Sequence, residues 1–121
     1  MNRRTIGSIL HDFYNGCERI FKNIVVDFNG GYEQSGKWHK ALLFKVTIQV
    51  NDVRPAVINE ELAAELDEYL SFRHVFRNIY GFELKGERVI HLAGKFDRTA
   101  AGFIREVTDF LHWFDKYLTD S

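Results

Sequence analysis

The chain has one cysteine, one proline and one methionine, and its formal net charge is −1. A lone Cys17 excludes an internal disulfide and a cysteine-built metal site, and its simplest place is a buried position on the first helix. With Pro55 as the only proline, the turn-rich pattern of a β fold is missing. No apolar run approaches the roughly 18 residues that a spanning helix needs. Met1–Arg4 lacks the apolar segment of a signal peptide behind it, so a soluble, cytoplasmic protein is the expectation. Near-neutral charge supplies no global field towards nucleic acid. Any phosphate binding has to come from a local basic patch.

What is present in quantity is aromatic. Phe, Trp and Tyr make up 15% of the 121 residues, eleven of them Phe, within 45% hydrophobic and 27% charged residues. That composition and length suit a single globular domain over residues 1–121, with a core or interface of large rings. Ile6, Ile9, Leu10, Phe13, Cys17, Ile20, Phe21, Ile24 and Phe28 recur at three-four spacing and predict a helix near 4–27. Gly30-Gly31 and Ser35-Gly36 supply turn chemistry. Residues 37–49 read two ways: Trp38, Ala41, Leu42 and Leu43 share a helical face, whereas 44–50 alternate like a strand. A lone strand would lack a partner, which favours helix. A loop with Pro55 follows, then Asn59 as an N-cap with Glu60 and Glu61 in the first turn. Leu62, Leu66, Tyr69, Phe76 and Tyr80 carry a third stripe to Gly81. Val89, Ala93, Phe96, Phe103, Ile104, Val107, Phe110, Leu111, Phe114 and Leu118 predict helix over 87–119, with a possible break near Asp97. The expected fold is all-α, an up-and-down bundle of four to five helices.

Chemistry concentrates in Arg73–Tyr80. At about 100° per residue, Arg73 and Arg77 fall on the face that Leu62, Leu66 and Tyr69 occupy earlier in the helix. A guanidinium there needs a carboxylate, a subunit boundary or a phosphate to meet it. One reading pairs Arg73 and Arg77 with acidic residues of a neighbouring helix. The other is an RNA-facing site, in which arginine forks hold phosphate and His74 exchanges protons near neutral pH. Asn78, one turn from His74, orients either, and Tyr80 adds a ring and a hydroxyl.

The run Phe72-Arg73-His74-Val75-Phe76-Arg77-Asn78-Ile79-Tyr80-Gly81-Phe82 resembles the signature of the HepT-like ribonucleases of the HEPN superfamily. Their pattern is an arginine, four residues, a histidine, one residue and a tyrosine, with a polar residue usually following the arginine. Arg73 and Tyr80 match. Asn78 stands at the histidine position and His74 at the polar one, so the two are exchanged across one turn. Leu10–Tyr14, Glu18–Ile20, Gly30-Gly31, Trp38-His39 and Arg54–Val57 are also similar to a subgroup of this family.

The resemblance implies a HEPN-like homodimer whose motifs meet across the interface and cut RNA without metal or cofactor. A 2′-hydroxyl attacks the adjacent phosphate, leaving a cyclic phosphate and a free 5′-hydroxyl. Arg73, His74 and Asn78 are the implied catalytic positions, with Arg77 and Tyr80 as RNA contacts. The implied partner is a minimal nucleotidyltransferase antitoxin that silences the toxin by attaching AMP to Tyr80. The alternative is an inactive HEPN module that binds such a partner, a nucleotide or RNA.

Other signals carry less. Arg105 and His112 share a helical face with Asp109 and Lys116 and read as a solvated surface. His11 and Asp12 read as packing polar residues, with orientation of a neighbour as the other option. His39 and His91 stand alone without metal-ligand spacing. Gly30-Gly31 is too short for a phosphate-binding loop.

Overall fold

A computed structural model describes residues 2–29, 36–78 and 86–120, with only the backbone described at Asn29, Arg77 and Asn78. Helix α1 spans Arg3–Asn29. Its N-terminus is capped by Asn2, whose Oδ1 accepts from the Thr5 N–H at 2.8 Å. Leu10, Tyr14, Cys17, Phe21, Ile24 and Val25 form its buried stripe, stepping by three and four as the sequence spacing requires.

Helix α2, Trp38–Lys45, settles the ambiguous stretch. Most of it is helical, and the helix takes in the first two residues of the alternating run. The alternating residues after it form turns and a single bridge, Val50 to Arg54, with Asp52 at φ 64°. Arg54 makes this corner possible. Its buried guanidinium donates to the carbonyls of Lys45, at the end of α2, and of Ile48 and Pro55 in the turn that follows. The Val46 carbonyl accepts from the N–H groups of Val57 and Ile58, which seats both side chains in the core.

Helix α3 runs Glu60–Asn78. The expected cap is present: Asn59 Oδ1 accepts from the Leu62 N–H at 2.7 Å, and the Asn59 N–H donates to Glu106 Oε1 at 2.6 Å. Leu62, Leu66, Tyr69, Phe72 and Arg73 face inward. The calculated core direction therefore holds, and it carries Arg73 into the interior.

Helices α4 (Gly86–Gly94) and α5 (Phe96–Asp120) meet at Lys95, two residues before the expected break. Lys95 is buried against the Tyr69 ring, where its ammonium bonds to Glu68 and to the Glu65 carbonyl. Thr99 adds a bond to Glu65 Oε2 at 2.7 Å, and Tyr69 donates to the Leu92 carbonyl at 2.7 Å. The α4–α5 corner is thus clamped onto α3.

Phenylalanines join α5 to α1. Phe13 meets Phe96 and Phe103 edge-on, Phe21 meets Phe103, and Phe28 meets Phe110 and Phe114. These rings bridge two helices whose backbones stay apart, which accounts for much of the aromatic excess. Parts of the expected stripes need correcting. Ile9 and Ile20 on α1, Ala93 on α4, and Ile104, Leu111 and Leu118 on α5 are exposed, because the buried residues of each helix set the inward direction and leave these at the stripe's edge or end. Among the described residues the molecule is five helices without a strand, an all-α bundle, and no helix is long and apolar enough to cross a membrane.

Candidate functional site

Four polar side chains from three helices converge beside Tyr14. On α1, Glu18 lies at the edge of the buried stripe, next to Val25 around the helix, and Asn15 flanks it. On α3, Arg73 continues the core face. On α2, the stretch before Val46 places His39 over both. Arg73 Nη1 donates to Glu18 Oε1 at 3.0 Å and Nη2 to Glu18 Oε2 at 3.2 Å, a two-pronged pair with only 4% and 7% of the two side chains exposed. A third bond runs from Nη1 to Asn15 Oδ1 at 2.7 Å. His39 Nδ1 approaches Glu18 Oε2 at 2.8 Å and Arg73 Nη2 at 2.9 Å. The guanidinium carbon sits 5.0 Å from the centre of the Tyr14 ring.

The charges cancel locally, one carboxylate against one guanidinium, and that is what lets them be buried. Burial, with the Glu18 charge next in effect, pushes the Tyr14 phenol far above its ordinary value. Burial likewise lifts the Cys17 thiol to about 12, so it serves as packing.

The cluster extends outward in two directions. Towards α1, Asn15 Nδ2 lies 3.4 Å from His11 Nδ1, which is also 3.3 Å from Asp12 Oδ1. The His11 ring packs on Phe76 at 5.4 Å, so the packing account of this histidine holds while the ring also buttresses Asn15. Among the described residues, His11 Nε2 is buried with no hydrogen-bond partner. Towards solvent, Arg73 forms the floor of a cleft of about 810 Å³ between α2 and α3, lined also by Lys37, His39, Lys40, Asp67 and His74. Lys40 and Asp67 face each other at 3.6 Å across its rim.

A family model described as HepT-like protein matches residues 5–114. The chain belongs to the HepT-like family. No curated protein and no solved structure matches it. Within this HepT-like chain the signature residues do not share one environment. Arg73 is interior with both terminal nitrogens engaged, while His74 is exposed and lines the cleft. Asn78 ends α3; its side chain and that of Arg77, together with Tyr80, lie outside the described residues.

Of the two accounts open for Arg73, the carboxylate of a neighbouring helix is the one realised. Sequence reasoning missed that carboxylate, Glu18, and missed His39, set aside as a lone histidine. A signal for Glu18 existed: it is a charged residue beside the apolar stripe of α1, opposite in sign to the charged residue on the stripe of α3. For His39 the pointer was the family-like Trp38-His39 pair; its partners are 21 and 34 positions away and leave no local trace. Arg105 and His112 are exposed on α5, as expected. Among the described residues no three His, Cys, Asp or Glu side chains gather closely enough to hold a metal ion.

Proposed function

We propose that this HepT-like protein is a metal-independent endoribonuclease toxin acting through the α2–α3 cleft. The observation that carries the reading is the joint presence of Arg73, His74 and His39 on one cleft with two lysines at its rim. The lysines draw in phosphate, and imidazoles exchange protons near neutral pH. A 2′-hydroxyl attacks phosphorus, the 5′ oxygen leaves, and a 2′,3′-cyclic phosphate results. The active unit is a homodimer in which the α3 ends, with Arg77, Asn78 and Tyr80, lie at or beside the two-fold axis. A nucleotidyltransferase antitoxin attaches AMP to Tyr80, and the added phosphodiester anion competes with RNA for the basic groups.

Incubating the purified chain with RNA in EDTA tests the activity. Cleavage with a cyclic-phosphate end supports it, and His74→Ala should slow cleavage more than Asn78→Ala does. Intact RNA at every enzyme concentration overturns it. Co-expression with a minimal nucleotidyltransferase, followed by intact mass, tests the modification: one added AMP, lost in Tyr80→Phe. A second reading, a non-catalytic module that docks the nucleotidyltransferase, is favoured by one observation. The Arg73 guanidinium already spends its donors on Glu18 and Asn15.

A further inference from the structure

Transesterification without metal needs a side chain that moves the 2′-hydroxyl proton, and the family's position for it holds Asn78. An amide exchanges no proton near neutral pH. We propose that His39, oriented by the buried carboxylate of Glu18, is the proton-exchanging group of the cleft. The inference rests on the ribonuclease reading of the same site and names a residue outside the α3 signature.

The geometry fixes the ring's chemistry. His39 Nδ1 and Arg73 Nη2 lie 2.8 and 3.2 Å from the same oxygen, Glu18 Oε2, so their own 2.9 Å separation is the third side of a triangle around it. Two donors sharing one carboxylate oxygen satisfies all three groups. In the alternative tautomer Nδ1 would accept from Arg73 Nη2 at 2.9 Å, but the same lone pair would face the nearer Glu18 oxygen at 2.8 Å. Nδ1 therefore carries the proton, and Nε2, on the opposite edge, carries the free lone pair. Among the described residues Nε2 has no hydrogen-bond partner, and the side chain keeps 32% of its surface exposed while lining the cleft. The Trp38 ring, 3.7 Å away, covers one face. A carboxylate behind an imidazole sets its tautomer and stabilises the imidazolium that forms when it takes a proton. Glu18 is in this sense a positioning residue, kept in place by Arg73 and, through Arg73, by Asn15.

In the step itself, Nε2 removes the proton from a 2′-hydroxyl as O2′ bonds to phosphorus. The P–O5′ bond breaks, the 5′ oxygen takes a proton from water, and His39 returns its own proton to solvent. No redox partner is involved. Lys37 and Lys40 at the rim face the diester anion, with Asp67 offsetting one of them.

Three variants of the full chain, with wild type, decide the matter in EDTA with a mixed-sequence RNA. His39→Asn keeps an amide N–H where Nδ1 stands, so the bond to Glu18 survives without proton exchange. Its cleavage rate should fall by at least about 100-fold at an unchanged urea midpoint. His74→Ala removes the cleft's other imidazole and should slow cleavage less than His39→Asn does. Nitrogen-detected imidazole NMR should find neutral His39 protonated on Nδ1, a preference lost in Glu18→Gln, and a non-cleavable deoxydinucleotide should move the Nε2 resonance. RNA cut by wild type and by His39→Asn within about threefold of each other overturns the role of His39 alone. A neutral ring protonated on Nε2 does the same. RNA left intact by wild type overturns the ribonuclease reading and this role with it.

Discussion

Arg73→Ala should unfold this protein more readily than it should reveal catalysis. The guanidinium gives Glu18 two charge-assisted bonds and Asn15 a third, all inside the bundle. Truncation leaves the Glu18 carboxylate buried with His39 as its remaining partner. Breaking a buried pair from one side costs about 3–5 kcal/mol. Domains of this kind have roughly 5–15 kcal/mol of stability in all. With a urea slope near 2 kcal/mol per molar, the midpoint should drop by roughly 2 M. Neutralising both ends in Glu18→Gln/Arg73→Met should recover much of the loss, because the stranded charge is gone, and the two changes should be strongly non-additive. Arg73→Lys should fall between, since an ammonium keeps the charge but not the fork. Urea titration followed by far-ultraviolet circular dichroism reads these proteins together with the single variants Glu18→Gln and Arg73→Met that complete the cycle. An Arg73→Ala midpoint equivalent to less than about 0.5 kcal/mol from wild type would refute the reasoning, leaving the guanidinium free to meet phosphate. Loss of RNA cleavage in Arg73→Ala thus counts as chemistry only for the fraction that remains folded.

Leu66 is fully buried, and Leu66→Ala should cost about 2–5 kcal/mol by urea titration. Asn59→Ala removes the cap on the Leu62 N–H and should cost about 0.5–2 kcal/mol, with helix α3 fraying first in hydrogen exchange. The Lys95 hydrogen bond, and after it that of His91, hold the Glu68 carboxyl below the usual carboxylate range. A depressed folded value means that the unfolded chain takes the proton first as pH falls. The contribution is complete above the ordinary carboxylate range and is lost below it. Glu68→Gln should therefore flatten the decline of the urea midpoint on acidification; an unchanged slope would rule the contact out. Cys17, buried and raised to about 12, should react with a disulfide reagent at mild alkaline pH only as fast as the chain opens.

The helices were legible because their signals are local. Apolar spacing, the Asn59 cap and the shortage of proline each act within a few residues, and α1, α3 and the α4–α5 pair lie where those signals place them. Residues 37–49 were ambiguous for a physical reason. Alternation over 44–50 reflects a chain that turns around the Arg54 guanidinium, and a corner held by one distant side chain leaves no periodic trace. Ile104 and Leu111 were assigned inward because a wide stripe does not say which of its edges the partner covers. The phenylalanines on α1 decide that, and they lie some 80 positions away in the chain.

The site was legible only along α3. A helical wheel gave the inward direction of Arg73 correctly, but a wheel describes one helix, and the partners arrive from two others. Asn15, Glu18 and His39 are separated from Arg73 by 58, 55 and 34 residues. Two departures from pattern did belong together: a guanidinium on the apolar face of α3 and a carboxylate beside that of α1. Each alone implies a penalty of several kcal/mol, so each predicts the other if both helices share one core. His39 follows a different logic. It is half open, so burial does not demand a partner, and only the distance to Glu18 reveals that its tautomer is set. The signature segment supplies the cleft's floor and one wall. The oriented imidazole comes from α2, whose position depends on the Arg54 corner, so a change at Arg54 should reach the cleft's chemistry without touching it.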